Sequence, residues 1–251
     1  MLKDTIINTG ELYVGRKAGE RVLKCIETAT KSIKIVSPYI SAEFVDLLVE
    51  KAKQNIEVSL IISDDFSNKE FKRIDIFKKL IQQVRHINLK KQKLRKIGLN
   101  VLYFLYFTAL TVFIYGYSHK FHNYLYTLLT IPFLGVIHYF IKSIRIFTYT
   151  YQHSLNFSIT KTPYSDATSF NSDYYFTHAK MYLVDHSLAY LGSLNFTKMG
   201  FYKNYETRIK IDDLETIQKL ENEFEYLFSN ENTCYLDLNQ ISKAIFDEPP
   251  N

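Results

Sequence analysis

The sequence predicts a mixed α/β fold that is interrupted by an inserted pair of apolar helices. In the first 63 residues, amphipathic helices alternate with short apolar strands, as in layered α/β domains. Two long segments in the middle of the chain, about 99–117 and 124–141, contain no charged residue. Further strands and a final helix are predicted after them, over 154–160, 181–184, 188–191, 207–211 and 214–228.

The elements before the apolar segments follow from periodicity. Apolar residues at helical spacing predict helices over 17–30 and 42–54, and alternating or continuous apolar runs predict strands over 32–39 and 58–63. A longer apolar stripe then predicts a single helix from Phe71 to about Lys96. These elements predict the first part of a mixed sheet flanked by helices.

The two uncharged segments are each close to the roughly 20 residues that a helix needs to cross a bilayer. Tyrosines lie near their ends, among them Tyr117 and Tyr139, as in the aromatic belts of membrane proteins. We therefore expect a transmembrane hairpin of two helices. Two alternatives stay open at this stage, namely an apolar hairpin buried in a dimer core and two helices that lie in the membrane interface.

The basic residues around the hairpin predict its orientation. Five lysines and arginines lie within Lys90–Lys96, just before the first segment, and Lys142 and Arg145 follow the second. The connecting loop contains only Lys120. The positive-inside rule then places both remaining parts of this two-span membrane protein in the cytoplasm, and anionic headgroups would attract the basic run.

The parts on either side of the hairpin are predicted to form one domain. Neither residues 1–97 nor residues 142–251 contain all the predicted strands, so the two parts must fold together. The sequence thus predicts an α/β domain in two parts, with residues 98–141 as an insertion.

Composition sets few limits on function. The net charge of +5 permits binding to nucleic acid or to an anionic membrane and requires neither. The two cysteines, Cys25 and Cys234, have no disulfide or metal spacing, which favours a reducing compartment.

Polar side chains concentrate at the ends of two short apolar strands. His178 and Lys180 precede the strand over 181–184, and strand alternation puts both side chains on one face. Ser193 and Asn195 follow the next strand, so a turn between the strands would bring them to the same end. An imidazole, an ammonium, a hydroxyl and an amide would then surround one point. This combination suits a phosphate, which the imidazole could attack.

The spacing His-x-Lys-x4-Asp-x6-Gly-Ser-x-Asn resembles the signature of the phospholipase D superfamily. The residues that match it are His178, Lys180, Asp185, Gly192, Ser193 and Asn195. Glu206, in Asn-x-Glu before a strand, is similar to the acidic residue that follows this motif in single-motif, nuclease-like members. The resemblance implies a phospholipase D-like mixed sheet flanked by helices.

The resemblance also implies a mechanism, in which His178 attacks phosphorus to form a phosphohistidine and a second histidine protonates the leaving oxygen. Lys180, Ser193 and Asn195 would bind the phosphoryl oxygens, and Glu206 would fix the tautomer of an imidazole. No metal and no other cofactor is implied.

Two further expectations come with the resemblance. Asp185 belongs to the same catalytic set, in which we expect it to support its loop and Lys180. The mechanism needs two His-Lys pairs, and the other histidines of this chain have no lysine two residues later. We therefore expect a homodimer with a shared active site, to which each subunit contributes one His178. His186 is expected to be an exposed turn residue.

Three functions are compatible with these residues. A membrane-anchored phosphodiesterase acting on phospholipid is favoured, because a tethered site meets headgroups at high local concentration. The alternative is a membrane-tethered, metal-independent endonuclease acting on single-stranded nucleic acid. The third hypothesis is a catalytically inactive membrane protein that retains the fold.

Overall fold

A computed structural model describes residues 10–63, 72–119, 126–160, 177–229, 242–243 and 245–249. The predicted hairpin loop from Lys120 onward and Cys234 lie outside these residues. The chain divides into two compact units, of which the first contains residues 1–82 and 151–245 and the second contains residues 83–150 and 246–251. The second unit includes the predicted insertion together with strand residues on both sides of it.

The described strands and helices alternate along much of the chain. The strands are β1 (Glu11–Gly15), β2 (Ser32–Val36), β3 (Glu57–Ser63), β4 (Ile81–Ile87), β5 (Phe147–His153), β6 (Asn156–Thr160), β7 (Met181–Val184), β8 (Leu188–Gly192) and β9 (Glu206–Ile211). The helices are α1 (Glu20–Thr28), α2 (Ala42–Lys53), α3 (Lys72–Leu80), α4 (Leu89–Ser118), α5 (Tyr126–Lys142) and α6 (Leu214–Ser229).

Seven strands form one mixed sheet in the order β1-β9-β8-β7-β2-β3-β6. Strands β2, β3 and β6 are parallel, and β7 joins them by pairing antiparallel to β2. The pairs from β7 through β8 and β9 to β1 are all antiparallel. Strands β1, β2, β3, β6 and β8 therefore end where β7 and β9 begin, and we call this end of the sheet the site end.

Both faces of the sheet are covered by apolar side chains. On one face, Met181 and Leu183 of β7 pack with Ile217, Leu220 and Phe224 of α6. The apolar stripe predicted for the final helix is the face that α6 buries. This packing holds β7 rigidly at the middle of the sheet.

Four aromatic rings hold the segment that follows β8. Phe196 stacks on Phe44 of α2 with ring centroids 4.6 Å apart, and it meets Phe201 edge-on at 5.2 Å. Tyr182 of β7 contacts both Phe196 and Phe201. Its hydroxyl donates to the carbonyl of Leu194 at 2.6 Å. Burial raises the pKa of Tyr182 well above its ordinary value, so this hydroxyl keeps its proton.

The single helix predicted from Phe71 to Lys96 is wrong. Helix α3 ends at Leu80, strand β4 occupies Ile81–Ile87, and α4 begins at Leu89. Strand β4 pairs with β5 in a separate two-stranded sheet, and β5 was not predicted. A partner strand that is distant in sequence overrides helical periodicity here, because β-branched and aromatic residues on both segments favour pairing.

The basic run predicted at the end of the long helix instead starts a new one. The side chain of Asn88 accepts a hydrogen bond from the backbone N–H of Lys91 at 3.1 Å and thereby caps α4. The helix then continues without interruption through the first uncharged segment.

Helix α4 is long and apolar enough to cross a membrane. Its most apolar 18-residue window is only 6% buried, so other parts of the protein leave most of it uncovered. Among the described residues it is the one helix that meets this criterion of length and composition, because α5 has 17 residues. The two helices pack against each other within the second unit.

Candidate active site

His178 and Lys180 meet at the start of β7. Lys180 is 7% exposed, whereas His178 lies at the surface. The Lys180 ammonium is 2.9 Å from Nδ1 and 3.0 Å from Nε2 of His178, and it donates to the His178 carbonyl at 2.7 Å. Burial lowers the pKa of Lys180, and the negative charge of Glu206 opposes part of this shift. The predicted pair thus forms a compact cationic group at the site end.

Ser193 and Glu206 form the second part of the site. The Ser193 hydroxyl donates to Glu206 Oε2 and accepts from the backbone N–H of Thr207 at 3.0 Å. Glu206 is 8% exposed, and its other oxygen accepts from Asn204 Nδ2 at 3.1 Å. Each carboxylate oxygen still has a lone pair for one more donor, such as an imidazole N–H.

Asn204 is a residue of the candidate site that the sequence did not predict. Its amide holds the Glu206 carboxylate, and the signal that could have identified it is its position two residues before Glu206. Residues with this spacing lie on the same face of an extended segment.

Gly192 is required for the contact between Ser193 and β9. A Cβ atom at Gly192 would lie 2.0 Å from the carbonyl oxygen of Thr207, a distance that no side chain tolerates. The close approach allows the Ser193 N–H to donate to the same Thr207 oxygen at 3.1 Å. The glycine of the predicted motif therefore positions the serine beside Glu206.

Asn195 carries an acceptor without a donor. Its Oδ1 atom is buried and forms no hydrogen bond with any described part of the chain. The neighbouring backbone is fixed, because Phe196 N–H donates to Ser37 Oγ at 2.9 Å and Thr197 N–H donates to the Asn195 carbonyl at 2.7 Å. A buried acceptor left unpaired costs about 1–3 kcal/mol, so Asn195 Oδ1 has the capacity to accept one more hydrogen bond.

Asp185 does not lie with the polar side chains at the site end. It follows the opposite end of β7, about 16 Å along the strand from Lys180 at 3.3 Å per residue. Its carboxylate accepts backbone hydrogen bonds from Thr30, Lys31 and Ser32 at 2.7–3.1 Å. Burial opposes ionisation of Asp185, but these hydrogen bonds outweigh it and lower the pKa. Its contacts hold the β7–β8 turn against the start of β2.

His186 forms a contact that the sequence did not predict. It occupies the same turn, with positive φ at both Asp185 and His186. Its Nδ1 lies 2.6 Å from Glu221 Oε1 on α6. The histidine is thus partly exposed, as expected for a turn, and also ties this turn to a helix.

The described residues contain no group of three or more His, Cys, Asp or Glu side chains that could hold a metal ion. Cys25 lies 3.4 Å from the hydroxyl of Tyr190, on the face of the sheet covered by α1.

Comparison with known proteins agrees with this geometry. Residues 142–228 match the family model described as "Cardiolipin synthase, PLD-like domain". No curated protein matches the chain. Residues 142–228 are therefore similar to a PLD-like domain, and they contribute strands to the mixed sheet described above.

Three of the solved structures that match this chain come from bacteria. NucT from Helicobacter pylori has 16% sequence identity and a TM-score of 0.49, covering 91% of this chain and 99% of its own. Nuc from Salmonella typhimurium, a phospholipase D family member, has 14% identity and a TM-score of 0.43, covering 86% and 93%. Phosphatidylserine synthase from Haemophilus influenzae Rd KW20 has 12% identity and a TM-score of 0.41, covering 94% and 43%.

Proposed function

We propose that this protein is a membrane-anchored phosphodiesterase that cleaves its substrate through a phosphohistidine on His178. The observation that carries the proposal is the group of polar side chains at the site end. Lys180 supplies a buried positive charge beside His178, and Ser193 and Glu206 are hydrogen-bonded to each other. Such preorganised charges and donors stabilise the negative charge that develops on phosphoryl oxygens.

The proposed reaction has two steps. An imidazole nitrogen of His178 attacks phosphorus, the bond from phosphorus to the leaving oxygen breaks, and a second imidazole gives that oxygen a proton. Water then attacks the phosphorus, loses a proton to the second imidazole and releases His178 as the N–P bond breaks. Lys180 Nζ and Asn195 Nδ2 are proposed to donate to the phosphoryl oxygens in both steps, as is the Ser193 hydroxyl once its proton turns away from Glu206. Glu206 then orients an imidazole.

The second imidazole is proposed to be His178 of another copy of the chain. The supporting observation is that each chain contains one histidine with a lysine two residues later. A homodimer with a shared site makes a specific prediction for mixed dimers. If wild type and His178→Ala are co-expressed in equal amounts, only dimers of two wild-type chains are active, so turnover falls to roughly a quarter. A fall to one half would show that each subunit works alone.

We propose that α4 and α5 both cross the membrane and that the catalytic domain lies in the cytoplasm. The length and exposure of α4 support this, as do the lysines at its start. A single cysteine introduced at Lys120, in a Cys25→Ala, Cys234→Ala background, should react with a membrane-impermeant maleimide from outside intact cells. A cysteine at Lys24 should react only after lysis, and the reverse pattern would exclude this topology.

A phospholipid is the favoured substrate. The description of the matched family model names cardiolipin synthase. Helix α4 would hold the enzyme at a membrane. A phosphatidyl group on His178 could pass to water or to another alcohol, so ethanol should give phosphatidylethanol.

Single-stranded nucleic acid is the second candidate, and exposed aromatic residues beside the site favour it. Tyr205 is 73% exposed immediately before Glu206, and Tyr202 is partly exposed with Lys203 next to it. Aromatic rings and cations in this arrangement stack on bases and bind the phosphates between them.

The test uses the full chain in detergent, comparing wild type with His178→Ala. His86→Ala is the matched control, because His86 is an exposed histidine of the other unit that bonds Thr150. Each protein receives mixed phospholipid vesicles with ethanol and, separately, labelled single-stranded DNA, with EDTA in both. Phosphatidylethanol from wild type and His86→Ala, but not from His178→Ala, would support the lipid reaction. Cleaved DNA with the same pattern would identify a nuclease, and neither product would indicate an inactive fold.

A further inference from the structure

The second unit carries a cluster of basic residues that the proposed chemistry does not use. Between Asp75 and Asp166 the sequence contains no acidic residue. Within this part of the chain, basic residues concentrate around the start of α4 and the end of α5. We call them the basic collar, which consists of Lys90, Lys91, Lys93, Arg95, Lys96, Lys142 and Arg145.

The fold brings the two halves of the collar to one end of the hairpin. The N–H of Asn88, just before α4, donates to the carbonyl of Ile146, just after α5, at 2.9 Å. About three turns further into the hairpin, a Cβ atom at Gly98 would lie only 3.3 Å from Ile141 Cδ1. The contact between residues 98 and 141 places Lys142 near the level of residue 97, and the bond from Asn88 to Ile146 places Arg145 near the start of α4.

The collar is exposed, and its own unit contains few acidic residues. All its members are exposed except Arg95, which is half-buried. The acidic side chains of the second unit are Asp247 and Glu248, in a segment that runs beside β4 and β5. There, Gln83 donates to the Asp247 carbonyl at 3.1 Å and Tyr149 donates to the Pro249 carbonyl at 2.8 Å.

Apolar side chains alternate with the lysines and show how a membrane would meet this region. Leu89 is 71% exposed and Leu94 is 62% exposed. At about 100° per residue, the lysines of the first two turns of α4 point in all directions around the axis. A helix that lies flat in the interface separates a polar face from an apolar one. A helix with basic residues on every side instead suits passage through the headgroup layer.

From these features we propose that the collar binds the headgroups of anionic phospholipids at the cytoplasmic surface. The inference rests on the proposed membrane anchoring and is independent of the catalytic substrate. Each lysine near an anionic surface contributes about 1 kcal/mol, or about a fivefold change in association. Salt should weaken the preference, because exposed charges are screened.

The test measures which lipid surrounds the hairpin of the reconstituted full chain. Spin-labelled phosphatidylglycerol and spin-labelled phosphatidylcholine are compared in bilayers of 20% phosphatidylglycerol and 80% phosphatidylcholine, chosen at roughly the anionic content that makes the surface potential appreciable. The fraction of immobilised label is expected to be several-fold higher for phosphatidylglycerol and to approach that of phosphatidylcholine at high salt.

The variant K90Q/K91Q/K93Q/K96Q should lose this preference. The matched control K17Q/K24Q/K31Q/K53Q removes the same charge from exposed positions of the first unit and should keep it. Equal immobilisation of both lipids by the wild type, a preference that salt does not reduce, or one that survives in the collar variant would overturn the proposal. No immobilised label at all would overturn the membrane anchoring and this inference together, whereas failed catalysis with a normal lipid preference would leave the collar intact.

Discussion

The ammonium of Lys180 lies 2.9 Å from Nδ1 of His178 and 2.7 Å from its carbonyl oxygen. Lys180 is buried and the imidazole of His178 is at the surface, so the ammonium lies on the protein side of the imidazole. A phosphoryl group that reaches His178 from solvent would therefore meet a positive charge whose position is already set. In the proposed mechanism, turnover therefore depends on the protonation state of Lys180.

Turnover should fall on the alkaline side at a pH below the ordinary lysine value of 10.5, because burial lowers the pKa of Lys180. As pH rises through this lowered pKa, the ammonium becomes neutral and loses its hold on the phosphoryl oxygens. Lys180→Arg should be slower, but its alkaline limb should move upward, because a guanidinium stays charged beyond about pH 12. The measurement is kcat/KM against pH with a chromogenic phosphodiester, and coincident alkaline limbs would exclude Lys180 as their source.

Asp185→Asn should reduce stability and leave the chemistry largely intact. The folded-state pKa of Asp185 is lowered, so its stabilising contribution is present above the unfolded value of about 3.9 and is lost as pH falls through the folded value. Above pH 5 the loss should be about 1–3 kcal/mol, or roughly 2–12 °C in Tm for a domain of this size. Thermal melts between pH 3 and pH 7 should show the two proteins converging in acid. A large loss of kcat in the folded variant would instead give Asp185 a direct part in the reaction.

Ser193 and Glu206 should behave as one unit. Ser193→Ala removes the donor of their shared hydrogen bond and Glu206→Gln removes the charge of its acceptor, so the effects of the two changes on kcat/KM should not add. We expect each single change to lower kcat/KM by about 10²–10³-fold and the double change to cost little more than the worse single one. Simple multiplication of the two effects would show that the hydrogen bond has no role in the reaction.

Gly192→Ala should prevent close pairing of β8 with β9. The new Cβ atom would meet the Thr207 carbonyl at 2.0 Å, and neither backbone can move without breaking the ladder. Overpacking of this kind costs about 1–3 kcal/mol or more, and turnover should fall because Ser193 is displaced. Gly135→Ala is the control, since its Cβ atom would meet nothing within 4 Å. Equal melting temperatures and turnover for the two variants would contradict this account.

Most of the first unit was predictable from local patterns. The predicted helices and strands up to Ser63, the strands on either side of His186, and α6 all occur within a few residues of their predicted bounds. Local apolar spacing is sufficient for these elements because each buries the same face that its periodicity defines. The prediction of a long helix over 71–96 was wrong because its local periodicity did not decide the structure. Residues 81–87 have a helical stripe, but strand β5 lies more than 60 positions away and no local pattern reveals it.

The sequence alone determined that the polar residues of the proposed site lie at the ends of two short strands that a tight turn must pair, namely His178, Lys180, Ser193 and Asn195. It also determined that α4 contains a long apolar segment, because the hydropathy of a segment depends only on residues that are consecutive in the chain. Tertiary structure decided how the acidic residues are used. Glu206 binds Ser193 and Asn204, whereas Asp185 binds the backbone at the far end of β7. A hydrogen bond depends on distance in space, and the pairing of β7, β8 and β9 sets that distance.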